Sequence, residues 1–97
     1  MAQSTLSFTQ TAANRYEATA TVNSAFAVHL KREEPGSVAI EITSVQDTDY
    51  DLIWKEEHDE IYNRSFDFGV YPAYVKVVSS VEPVSSANYI VDNSESE

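Results

Sequence analysis

The feature that most constrains the fold is an alternation of apolar and polar residues with a period of two. Along Arg15–Val22, the residues Tyr16, Ala18, Ala20 and Val22 are apolar, and the residues between them are polar or charged. Side chains point alternately to opposite faces of a β-strand, whereas an α-helix needs a period of 3.6. The pattern therefore predicts a strand with one face towards a core and one face towards solvent.

The same alternation recurs along most of the chain. Val, Ile, Thr, Tyr, Phe and Trp make up 34 of the 97 residues, and these residue types pack well on a pleated surface. Including a short first strand around Leu6 and Phe8, the pattern predicts about eight strands, the others at residues 15–22, 25–31, 38–43, 50–55, 61–68, 73–78 and 87–91.

The connections between these strands are predicted from turn residues. Residues 23–25 form either a three-residue hairpin loop that pairs Val22 with Phe26, or the middle of one long bent strand. Pro35 and Gly36 predict a type II turn at residues 34–37, with a positive φ at Gly36. Residues 56–60 are read as a loop, and a short helix over residues 55–63 is the alternative.

Short strands separated by turns predict two antiparallel sheets packed face to face. The expected class is all-β, a small antiparallel β-sandwich of about 7–9 strands with little or no helix; a small barrel is the less favoured closure. Both Ig-like and jelly-roll connectivities fit. Residues 1–92 are expected to form this single domain, and residues 93–97 an acidic C-terminal tail.

Charge and targeting signals narrow the classes of function. The chain has 16 Asp and Glu against 6 Lys and Arg, a formal net charge of −10, and it has no cysteine. It lacks both the run of ~20 apolar residues that crosses a membrane and the start of a signal peptide. We therefore expect synthesis in the cytoplasm, no membrane partner, and a virion as a candidate destination.

Asp47, Asp49 and Asp51 are the weak candidates for a metal site. Their spacing resembles the start of a calcium loop, but an EF-hand beginning at Asp47 needs Gly at 52 and Glu at 58, where the chain has Leu52 and His58. The favoured interpretation is a solvated acidic rim across residues 47–60, with no bound metal and no cofactor.

No catalytic residues are predicted. The two histidines, His29 and His58, lie in no recognisable catalytic motif, and the chain has neither a Gly-x-Ser-x-Gly elbow nor a glycine-rich phosphate loop. The six basic residues are dispersed, so nucleic acid is not an expected partner. The sequence favours a protein that is not an enzyme.

The leading functional hypothesis is a structural interaction protein, a β-sandwich subunit of a larger assembly. The expected role is that of a viral (phage) capsid or tail accessory or decoration protein. The partners would be proteins, with copies of the chain itself as candidates. Aromatic and apolar residues near the two ends and in the two-sided apolar strand 73–78 supply the candidate partner-binding residues, which are Leu6, Phe8, Tyr74, Val78, Tyr89 and Val91.

Two other classes remain open. Carboxylates along a strand recur with nearly the spacing of phosphates along one nucleic-acid strand, so an acidic inhibitor or nucleic-acid mimic could bind a basic enzyme through residues 47–60. A carbohydrate-binding or adhesive module would instead use exposed aromatic rings such as those of Trp54, Tyr71 or Tyr74 as a stacking platform.

Overall fold

The computed structural model describes residues 2–44, 49–84 and 87–92, which form nine β-strands. The four-stranded sheet has the order β1-β9-β4-β7, and the five-stranded sheet has the order β2-β3-β8-β5-β6. The strands are β1 (Ala2–Thr5), β2 (Thr9–Ala12), β3 (Arg15–Val22), β4 (Phe26–Lys31), β5 (Gly36–Thr43), β6 (Asp51–His58), β7 (Ile61–Phe66), β8 (Ala73–Ser79) and β9 (Tyr89–Asp92).

The two antiparallel sheets confirm the predicted all-β sandwich. The described residues contain no helix, and therefore none long and apolar enough to cross a membrane. The predicted acidic tail, residues 93–97, lies outside the described part of the chain.

The strands pair as one nested hairpin. The pairs β5–β6, β4–β7, β3–β8 and β1–β9 enclose one another along the chain, and all are antiparallel. Pairing of β9 with β4 and of β8 with β5 then rolls this hairpin into two sheets. This is the connectivity of a jelly roll, with β2 added beside β3 at one edge. The structure thus distinguishes between the two connectivities that the sequence left open.

The core lies between the inner faces of the sheets and follows the alternation read from the sequence. Ala18 of β3, Val77 of β8 and Ile40 of β5 are directly opposite one another in a row, and all three are buried. Burial of these β-branched and small side chains is the main favourable contribution to folding. Other fully buried apolar residues are Val22, Phe26, Val28, Leu30, Val38, Ile42, Tyr62, Ala73, Val75 and Ile90.

The predicted hairpin at residues 23–25 is wrong. Val22 pairs with Ala73 in the five-stranded sheet, whereas Phe26 pairs with Phe66 in the four-stranded sheet. Residues 23–25 carry the chain from one sheet to the other, as the alternative of one bent strand would suggest. The apolar face stays towards the core when the chain crosses between the sheets, as it would in a hairpin. Both structures therefore produce the same alternation, and the sequence pattern could not distinguish a crossing from a hairpin.

Gly36 does not occupy the predicted positive-φ turn position; it begins β5 with an ordinary φ. A Cβ atom at Gly36 would lie 2.6 Å from both Ser80 Oγ and Val81 Cγ2. Close packing against residues 80–81, rather than turn geometry, therefore explains this glycine. The positive φ angles in the described residues occur at Asn14 and Gly69.

The single strand predicted around Leu6 and Phe8 is also wrong. The chain forms two strands, β1 and β2, and residues 6–8 cross between the sheets. Asn14, with φ of 58°, closes the β2–β3 hairpin, since Asn tolerates the left-handed conformation better than most residues.

The loop predicted at residues 56–60 is wrong for residues 56–58, which belong to β6, whereas residues 59–60 do connect β6 to β7; the alternative helix over residues 55–63 is absent from these described residues. Glu57 and His58 pair with Ser37 and Gly36, so the pairing of β6 with β5 continues as far as Gly36, the first residue of β5. A register shift opposite Ile40 and Glu41 leaves Ile53 as the extra residue of a bulge. Leu52 pairs with Glu41, points outward and is 58% exposed, whereas the plain alternation of Tyr50, Leu52 and Trp54 in the sequence would place Leu52 on the same face as Trp54.

Candidate functional site

The acidic window at residues 47–60 does not form a single surface. Asp51 pairs with Ile42 at one end of β6, and His58 pairs with Gly36 at the other. At about 3.4 Å per residue, an eight-residue strand separates these ends by roughly 24 Å. Asp49 and Asp51 therefore lie far from Asp59 and Glu60, which follow β6.

The predicted metal candidates gain no ligand set in the described structure. Asp47 lies outside the described residues, and Asp49 and Asp51 are exposed. Within residues 2–44, 49–84 and 87–92, no group of three or more His, Asp or Glu side chains is placed to hold a metal ion.

The predicted partner-binding residues separate into two groups. Leu6 and Val78 are buried, 3% and 7% exposed, and Phe8 packs against the core, so these three side chains stabilise the fold. Tyr74 is partly exposed on the outer face of the five-stranded sheet. Tyr89 and Val91 lie on the outer face of the four-stranded sheet.

Tyr89 and Val91 belong to a surface without carboxylates. In one row across the sheet, Thr5, Tyr89, His29 and Asn63 are directly opposite one another. This carboxylate-free face comprises the ten outward positions of the four-stranded sheet, which are Gln3, Thr5, Ala27, His29, Lys31, Ile61, Asn63, Ser65, Tyr89 and Val91. The protein has a formal charge of −10, yet Lys31 is the only fully charged side chain among these ten described positions.

Apolar side chains and a depression characterise the same face. Ile61 is 57% exposed, and Tyr89 and Val91 are partly exposed beside it. Between them is an open depression of about 370 Å³, lined also by His29 and Gln3. Exposed apolar residues grouped around a concavity are typical of contact surfaces.

The outer face of the five-stranded sheet has a different character. Arg15 forms ion pairs with Glu17 and, at 3.7 Å, with Glu41; Lys76 lies 3.8 Å from Glu17. Thr11 donates a further hydrogen bond of 2.9 Å to Glu17. This network joins β3, β5 and β8. Since these charges are neutralised within the sheet, this face is better suited to stabilising the fold than to binding an apolar partner.

The four edge strands differ in how they are protected against pairing with other chains. Strand β6 has four charged residues and the bulge at Ile53, and β7 has Arg64 on its inner face. Both devices discourage strand addition. Strand β1 has the sequence AQST and β2 the sequence TQTA, with no charge in either, and β2 has a register shift near Gln10. The edge of β1, which borders the carboxylate-free face, has neither protection.

A polar and aromatic cluster fills the sandwich between β6 and β7. The Arg64 guanidinium lies 3.9 Å from the centre of the Trp54 ring, and the rings of His58 and Tyr62 are 4.9 Å apart, edge to face. The Trp54 indole N–H, His58 Nδ1 and the Tyr62 hydroxyl are buried without a partner at full hydrogen-bond geometry. Because Arg64 covers one face of Trp54, that ring is not a free stacking platform for a sugar.

Glu56 lies within this cluster, and its carboxyl group and the Tyr62 hydroxyl shift each other's pKa. The nearby Trp54 N–H holds the pKa of the Glu56 carboxyl below its usual value, more than burial raises it, and the Tyr62 hydroxyl acts in the same direction. Burial raises the pKa of Tyr62 far above its ordinary value, and the Glu56 charge raises it further. Glu56 therefore stays ionised and Tyr62 stays protonated at neutral pH.

Sequence reasoning identified Tyr89 and Val91 but missed Ile61 and His29 as parts of the same surface. Their outward parity was readable, since His29 alternates with Val28 and Leu30. The pairing of β9 with β4, which brings the two segments together, spans about sixty residues and has no local signal.

Comparisons with known proteins identify no relative of this chain. No protein-family model matches it, and neither a curated protein nor a solved structure shows a significant similarity.

Proposed function

We propose that this protein is a non-enzymatic interaction subunit of a larger protein assembly, which docks through the carboxylate-free face and the adjoining edge of β1. The observation that supports this most directly is the distribution of charge. A chain with 16 acidic residues has none at the ten outward positions of one sheet, where exposed Ile61 and partly exposed Tyr89 and Val91 lie together. Two copies, or a copy and another acidic protein, repel least when they approach at this face.

The size of this face favours repeated contacts rather than an isolated dimer. Four strands about 4.8 Å apart and about five residues long give a footprint of roughly 330 Å². A standard stable interface buries about 800 Å² per partner. Docking on this face therefore needs reinforcement, which strand addition at β1 or many copies on one particle would provide.

The setting that we propose is a viral particle, with the chain as a capsid or tail accessory or decoration protein. Jelly-roll sandwiches recur in viral capsid proteins, and they also occur in lectins and cupins. This support comes from the architecture and not from a site. The proposed contacts, a sheet face and a strand edge, require no cleft.

The proposal predicts that association depends on the carboxylate-free face. Light scattering at chain concentrations up to about 1 mM should give a mass above the 10.8 kDa of one chain. The mass should persist at about 300 mM NaCl, since an apolar contact with strand pairing weakens little when charges are screened. Ile61→Glu should abolish association, because it places a carboxylate in the face.

Leu52→Glu is the matched control. Leu52 is 58% exposed and Ile61 57%, both are on edge strands, and Leu52 lies on the other sheet. Leu52→Glu should associate like the unmodified protein. A monomer under all conditions, or equal loss in both variants, would count against docking through this face.

A further inference from the structure

A groove at one end of the sandwich has acidic rims and a partly apolar floor. It has a volume of about 790 Å³, and the exposed carboxylates of Glu33, Glu34 and Glu82 surround it. The other lining residues are apolar, Tyr16, Val81, Pro83 and Val84, or polar, Asn14 and Ser80. Volumes of about 300–1,000 Å³ are usual for ligand sites. We call this the acidic groove; it is distinct from the carboxylate-free face.

A second concavity adjoins the acidic groove, so an extended chain could contact both. A neighbouring space of about 370 Å³ shares Tyr16, Glu82 and Pro83 with it and extends along residues 5–8. Neither space is lined by a Lys or Arg side chain of the described residues. Glu57, Asp59 and Glu60 lie at the same end of the sandwich and add to its negative potential.

Hydrogen bonds hold the floor of the groove in place before any ligand binds. The N–H of Val84 donates to the Lys31 carbonyl at 2.7 Å, and the Asn88 side-chain amide donates to the Val84 carbonyl at 2.7 Å. Asn88 is 3% exposed, and its side-chain oxygen accepts from the Lys31 N–H at 3.0 Å. Val81, which also lines the groove, accepts a hydrogen bond of 2.6 Å at its carbonyl from Ser79 Oγ. A preformed groove loses little conformational entropy on binding.

We propose that the acidic groove binds an extended, lysine-rich protein segment that also carries apolar side chains. The cationic groups would meet Glu33, Glu34 and Glu82, and the apolar side chains would pack on Tyr16, Val81 and Val84. Within residues 2–44, 49–84 and 87–92, none of the three rim carboxylates forms an ion pair with a basic side chain, so they are available to a cation from outside. The apolar part of the floor selects a peptide over a small polyamine, which has nothing to bury there.

Fluorescence anisotropy with labelled ten-residue peptides tests this inference. A peptide alternating Lys and Val should bind, and its affinity should fall steeply between about 50 and 300 mM NaCl. A Glu–Val peptide should not bind, and a Lys–Ser peptide should bind at least about tenfold more weakly than Lys–Val. Equal binding of Lys–Ser and Lys–Val would overturn the proposal, because it would show attraction of any polycation.

A pair of variants with equal charge change locates the site. Glu34→Gln with Glu82→Gln should weaken Lys–Val binding by about tenfold, since both groups line the groove. Asp49→Asn with Asp51→Asn removes the same charge at the opposite end and should change the affinity by less than about twofold. Equal weakening by both pairs, or no binding of Lys–Val at low salt, would overturn the assignment. Because Ile61→Glu leaves the groove intact, failure here is separable from failure of the docking face.

Discussion

At the scale of single residues, Arg32 is the most unusual feature of the molecule. It is 1% exposed, forms no ion pair with a carboxylate in the described part of the chain, and donates to the carbonyls of His58 at 3.2 Å and Asp59 at 2.7 Å. A weaker bond of 3.4 Å reaches the Ser37 carbonyl. Burial lowers the pKa of the guanidinium, and the charges of Glu57 and Glu60 partly offset this effect. Arg32 thus joins the β6–β7 connection to the start of β5.

We predict that Arg32→Met lowers the free energy of unfolding by about 2–4 kcal/mol, because buried carbonyls lose charged donors. For a domain of this size that corresponds to a melting temperature lower by roughly 10 °C or more. Lys31→Met, at the exposed neighbouring position, should change stability by no more than about 0.5 kcal/mol. Thermal unfolding by circular dichroism measures both. An unchanged or more stable Arg32→Met would show that the cost of burying the charge exceeds the value of its hydrogen bonds.

At the scale of elements, the ion-pair network on the five-stranded sheet joins strands distant in sequence. Glu17 on β3 is placed between Arg15 on its own strand and Lys76 on β8. Burial raises the pKa of the Glu17 carboxyl, but the hydrogen bonds from Arg15 and Thr11 and the charges of Arg15 and Lys76 together lower it below its ordinary value of 4.5. Glu17 therefore stabilises the folded state when it is ionised.

The sign of the pH dependence follows from this lowered pKa. A carboxyl with a lower pKa in the folded state contributes stability above its unfolded pKa of about 4.5, and this contribution disappears as the pH falls through the folded pKa. We predict that Glu17→Gln costs about 0.5–1 kcal/mol at pH 7 and close to nothing at pH 2. Urea unfolding at several pH values measures the difference. A difference that stays constant from pH 7 to pH 2 would show that the lost contribution is not electrostatic. Glu33→Gln is the control, since Glu33 is exposed and forms no ion pair with the described basic residues.

At the scale of the whole molecule, negative charge is concentrated at the two ends of the sandwich. Glu33, Glu34 and Glu82 are at one end, and Asp49 and Asp51 are at the other. With a formal charge of −10, repulsion between these groups opposes the compact state. The sheets are held together against this repulsion by the apolar core between them.

We predict that raising NaCl from about 10 to 300 mM increases the melting temperature by about 2–5 °C, because the repulsion is screened over distances beyond about 10 Å. The increase should be smaller in Glu34→Gln with Glu82→Gln, which already has less negative charge. Differential scanning calorimetry at low chain concentration, where association does not contribute, measures the shift. A melting temperature that falls with salt would mean that ion pairs such as that of Glu17 outweigh the repulsion.

The sequence by itself determined the class of fold and most strand positions, because both depend on local alternation. β3 spans the predicted residues 15–22, and in β4, β5 and β8 the alternating apolar residues are buried, as are Phe26, Val28 and Leu30 of β4. The alternation shows which face of each strand is apolar, and that face is buried in the core whichever strands become its neighbours.

Only the tertiary structure decided which strands are neighbours, and with that the two proposed binding surfaces. Ile61 and Tyr89 share a face because β4 pairs with both β7 and β9. Glu34 and Glu82 line the same groove because the chain crosses between the sheets at both positions. The bulge at Ile53 and the close approach at Gly36 are likewise consequences of packing between segments distant in sequence. Such pairings depend on the summed burial of many residues and the closure of long loops, so no local pattern encodes them.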